Sequence, residues 1–86
     1  MRHARPEDLD RVEALLAELR TIDGLKERSR GTFYVRSRAF LHFHEHEGDI
    51  LCDVRLDPAA SDFDRRTVTS AAAQRALVDD VRAALS

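Results

Sequence analysis

Residues 39–56 read Ala39-Phe40-Leu41-His42-Phe43-His44-Glu45-His46-Glu47-Gly48-Asp49-Ile50-Leu51-Cys52-Asp53-Val54-Arg55-Leu56, and the reading of this stretch decides the fold. Side chains alternate with a period of two, and aromatic and β-branched residues are enriched, so the stretch reads as strand. Glu47-Gly48 interrupts the alternation. A two-residue turn there predicts an antiparallel hairpin with strands over 39–45 and 49–56. That turn pairs Phe43 with Cys52 and Leu41 with Val54. A slip of one residue would invert every side chain, so the register that gathers the apolar residues on one face is the expected one.

Working outward, Thr32–Val35 reads as a preceding strand. A three-residue loop at 36–38 would pair Val35 with Ala39 and Phe33 with Leu41. The inner face then holds Phe33, Val35, Ala39, Leu41, Phe43, Ile50, Cys52, Val54 and Leu56, all apolar. The outer face holds Tyr34, Phe40, His42, His44, His46, Asp49, Leu51, Asp53 and Arg55. His42 lies opposite Asp53, and His44 lies opposite Leu51. Leu25–Ser29 fits a short edge strand.

Before the sheet, Leu9, Val12, Leu15, Leu16 and Leu19, followed by Ile22, recur at helical spacing and predict one amphipathic helix over 6–21. Pro6 suits its first position, and Glu7, Asp8 and Asp10 suit the positive end of its dipole. After the sheet, 57–67 reads as a loop crossing back over it, with Phe63 at the edge of the core. Residues 70–85 read as a second helix, with Leu77, Val78, Val81, Ala84 and Leu85 on one stripe and Thr69 or Ser70 as its N-cap. The expectation is one α+β domain over 1–86. Its antiparallel meander has three or four strands, with an N-terminal and a C-terminal helix packed on one face (α-β-β-β-α).

Length and charge narrow the function classes. Eighty-six residues leave no room for separate cofactor and substrate domains. Fourteen basic and sixteen acidic residues give a formal charge of −2, which lacks the basic footprint of a general nucleic-acid binder. The arginine pairs Arg28/Arg30, Arg36/Arg38 and Arg65/Arg66 read as solvated loop residues. With one cysteine, Cys52, there is no internal disulfide and no CxxC motif, and its place on the inner face reads as an inert buried thiol. No signal-like or membrane-spanning apolar run is present, so a cytoplasmic location without a membrane is expected. There is no Gly-x-Ser-x-Gly elbow and no glycine-rich phosphate loop.

The outer face carries the chemistry. On a strand, His42, His44 and His46 share one side, and the register adds Asp53 beside His42. Two imidazoles and a carboxylate are the raw material of an open site for a divalent metal such as zinc, nickel or iron at His42, His44 and Asp53. The same groups also read as a satisfied cross-strand pair, or as an acid/base pair acting on a small molecule. Tyr34, Phe40, Leu51 and His46 on this face form a candidate interface, because large apolar groups that no element covers point to a partner. The leading expectation is a small homodimeric interaction module, and the alternative is a metal-dependent or acid/base enzyme.

Gly31-Thr32-Phe33-Tyr34-Val35, the His42-x-His44 strand, Gly48 and Asp53-Val54-Arg55-Leu56 resemble small bacterial proteins of the luciferase-domain type. Those proteins carry a His-x-His on one strand and an aspartate on the next. The resemblance covers about residues 22–70 and implies a compact α+β domain with no established reaction. Residues 33–56 are also similar to MmcQ/YjbR-like domains. That likeness implies nucleic-acid binding, which the acidic balance opposes.

Overall fold

The structure, a computed structural model, describes residues 1–57 and 59–86. It is an α+β fold with elements in the order β1 (Arg2–His3), α1 (Pro6–Asp10), α2 (Glu13–Leu19), β2 (Leu25–Ser29), β3 (Thr32–Val35), β4 (Arg38–His46), β5 (Asp49–Val54), β6 (Asp64–Thr67) and α3 (Ala71–Leu85). The strands form one antiparallel sheet in the order β2-β3-β4-β5-β6, with β1 added to β4. Edge strand β2 is where the alternation placed it.

The β4–β5 hairpin has the expected register: Leu41 pairs with Val54, His42 with Asp53, Phe43 with Cys52 and His44 with Leu51. Glu47 and Gly48 both have positive φ, 51° and 86°, the backbone that closes a two-residue hairpin turn without splaying the strands. The β3–β4 hairpin departs from expectation. Its turn has two residues, Arg36-Ser37, with Arg36 at φ 57°, so Val35 pairs with Arg38 and Tyr34 with Ala39. A bulge absorbs the extra residue, Phe40, and restores the expected pairing of Phe33 with Leu41.

The single helix expected over 6–21 is two helices. Arg11 and Val12 donate to carbonyls three residues back, Asp8 and Leu9, and Val12 leaves the helical region at φ −120°. A β-branched residue is poorly suited to a helix interior, and the break lets Leu9 and Val12 both bury. Leu9 packs where Gly31 passes: at φ +81°, a Cβ on Gly31 would lie 2.8 Å from Leu9 Cδ2. Helix α3 begins as expected, with the Ser70 hydroxyl accepting from the Ala73 N–H at 3.1 Å.

The stretch expected as a loop over 57–67 contains the further strand β6, which pairs Asp53 with Arg65 and Cys52 with Arg66. Val68 follows it into the core, its N–H donating to the Ile50 carbonyl at 2.8 Å. The core lies between the helices and the inner sheet face, where Phe33, Leu41, Phe43, Ile50, Cys52 and Val54 meet Leu15, Leu16, Leu19, Leu77, Val78 and Val81. Among the described residues, no helix is long and apolar enough to cross a membrane.

Candidate metal centre

Strand register alone assembles the site. Alternation along β4 turns His42 and His44 away from the core, and the hairpin sets Asp53 beside His42. The β5–β6 ladder then sets Arg65 beside Asp53, and β1 sets His3 beside His44. His42 Nε2 and His44 Nδ1 each lie 3.3 Å from Asp53 Oδ2. One ligand atom from each of the three residues falls within 4.8 Å of the others.

Asp53 is buried at 6% exposure and is gripped from the far side by Arg65. Arg65 Nε donates to Oδ1 at 2.7 Å and Nη2 donates to Oδ2 at 2.9 Å, a bidentate pair that fixes the carboxylate plane. These bonds hold the Asp53 carboxyl below the usual carboxylate range, and the two histidines add to the effect. Burial pulls both imidazoles below their ordinary value, against the opposing pull of Asp53, which favours their neutral form. His44 Nδ1 is near Oδ2 but off the line a hydrogen bond needs, and this buried nitrogen has no hydrogen-bond partner among the described residues.

Aromatic rings wall the group. His3 stacks on His44 with centroids 4.6 Å apart, and the Phe63 ring stands edge-on to His42 at 4.9 Å. Phe63 was expected at the core edge. It lies instead over the outer face, between His42 and the guanidinium of Arg55, 4.4 Å from its ring. Burial pushes the Cys52 thiol far up, in keeping with an inert core group.

The four residues expected to form an interface do not make an apolar patch. Phe40 is buried with the core at 6% exposure, because the bulge takes it out of simple alternation. Tyr34 and Leu51 are half-buried, Tyr34 beneath the Arg28 guanidinium at 4.7 Å. His46 is exposed near the hairpin turn, 3.9 Å from Glu47. Met1 is the only exposed large hydrophobic among the described residues.

Three contributors were missed in the sequence: Arg65, His3 and Phe63. Arg65 could have been found only by reading 64–67 as a strand. A cleft of about 560 Å³ opens at the end of the sheet where β3 turns into β4, and the histidines do not line it. Comparison with protein-family models, with curated proteins and with solved structures finds no match, so the residues themselves carry the functional reading.

Proposed function

We propose that this chain is a metal-binding domain that holds one divalent transition-metal ion between His42 Nε2, His44 Nδ1 and Asp53 Oδ2. The observation that carries this reading is the pair of 3.3 Å separations between the two ring nitrogens and one carboxylate oxygen. Metal–ligand bonds of about 2.0–2.1 Å at the tetrahedral angle put neighbouring ligand atoms about 3.3–3.4 Å apart. Burial biases both imidazoles toward the neutral form a metal requires, and the buried His44 Nδ1 has no hydrogen-bond partner among the described residues. Two imidazoles and one carboxylate suit zinc, nickel or ferrous iron and leave coordination positions open. Because the 560 Å³ cleft lies elsewhere, the proposal is binding rather than turnover of a substrate.

Thermal unfolding with Zn²⁺ or Ni²⁺ at pH 7.5 tests this reading. The expected result is a higher Tm, corresponding to about 2.7 kcal/mol at a hundredfold excess over Kd, that His44→Ala removes. Co²⁺ supplies an independent readout through its ligand-field absorption. An unchanged Tm with every metal and no Co²⁺ spectrum would overturn the proposal.

A further inference from the structure

Arg55 is a buried cation without an acidic partner. Its side chain is in a residue only 8% exposed, and it is held by carbonyls: Nη1 donates to Ser61 O at 3.1 Å and Nη2 to Ala39 O at 2.5 Å. The Phe63 ring covers its plane. Among the described residues it makes no ion pair. Carbonyls satisfy N–H groups but do not neutralise a charge, and a buried charge is costly unless it is paired.

Arg55 is also among the residues that line the 560 Å³ cleft, with Val35, Phe40, Leu56, Ala84 and Leu85. Arg36 and Arg38 also border it, against one acidic side chain, Asp23. The volume is that of a small-molecule site, and apolar residues and arginines share its lining. Ala84 was expected on the buried stripe of α3. It is exposed, and it lines this cleft.

We propose that the cleft binds a small organic monocarboxylate with an apolar tail, its carboxylate paired with Arg55 and its tail along Val35, Phe40 and Leu56. A planar guanidinium matches a carboxylate's two oxygens, which favours this anion over a halide or a bare cation partner. The inference does not depend on the metal site.

Isothermal titration of the full chain with octanoate, octanol and acetate, in buffer containing EDTA so that no metal recruits the anion, tests it. Octanoate should bind one-to-one and saturably, octanol at least tenfold more weakly, and acetate not measurably. Ala84→Phe, which adds bulk to a wall of the cleft and leaves Arg55 in the chain, should weaken octanoate at least tenfold while leaving Tm near the parent value. Arg55→Gln should weaken octanoate similarly and abolish its preference over octanol. If Arg55→Gln does not fold, the octanoate-to-octanol ratio and Ala84→Phe still decide. Absence of saturable binding, equal affinity for octanol, or binding undiminished by Ala84→Phe would overturn the proposal.

Discussion

At Asp53, three groups address one carboxylate: Arg65 engages both oxygens, while His42 and His44 each stand 3.3 Å from Oδ2. Arg65 aligns Asp53 but also sets a fixed positive charge beside any bound cation. At about 5 Å a dication and a guanidinium repel by about 1–2 kcal/mol even in water, roughly tenfold in affinity. Arg65→Gln is therefore expected to tighten Zn²⁺ binding about tenfold, measured by competition with a chromophoric chelator. Asp53→Asn should weaken it sharply. A second carboxylate, Asp8, ties the N-terminus down by accepting from Arg2 Nη1 at 2.5 Å and from the Arg5 backbone N–H at 2.8 Å. The Arg2 bond, then the Arg5 bond, holds its carboxyl below the usual value. The unfolded chain therefore takes up this proton first. Asp8's contribution to stability is complete above its unfolded pKa of about 3.9 and is lost as pH falls through the lower native value. Tm curves of the parent and Asp8→Asn should accordingly differ at pH 7 and converge on acidification.

Between elements, legibility followed how many independent signals agreed. The β4–β5 hairpin combined period-two alternation, an apolar face and a Glu47-Gly48 turn, so its register and the meeting of His42 with Asp53 could be read directly. β6 offered none of these: Asp64-Arg65-Arg66-Thr67 is polar throughout, and its strand character comes from pairing with β5, which a local pattern does not encode. Half of the candidate site's polar network was thus legible, and the Arg65 half was not. The helix break at Val12 was hidden because Leu9, Val12, Leu15 and Leu16 keep helical spacing through it. Leu9 packs against Gly31 on the near side of the break, a tertiary contact that no local pattern encodes. Gly31→Ala forces a Cβ into a left-handed backbone and against Leu9, and it is expected to cost about 1–3 kcal/mol, read as a lower urea midpoint with m unchanged. Ser70→Ala, which deletes the α3 cap, should cost about 1 kcal/mol in the same assay.

For the whole molecule, helices cover one sheet face, and side chains such as His3, Phe63 and Arg28 shelter part of the other. The open face was legible in the sequence, but its partial roofing was not, because the roof comes from the N-terminus and from a loop with little pattern. Among the described residues the sheet also ends in two edge strands, β2 and β6. Such rims are templates for unwanted strand addition. Both are studded with charge, Lys26, Glu27 and Arg28 on one and Asp64, Arg65 and Arg66 on the other. Another chain zipping onto either rim would have to strip water from those groups, so the charges act as gatekeepers against amyloid-like growth. Lys26→Val with Arg28→Val should turn thioflavin-positive at concentrations where the parent solution stays clear. On the opposite rim, Arg65 serves two ends at once: the guanidinium that steadies Asp53 also keeps the sheet from recruiting a seventh strand.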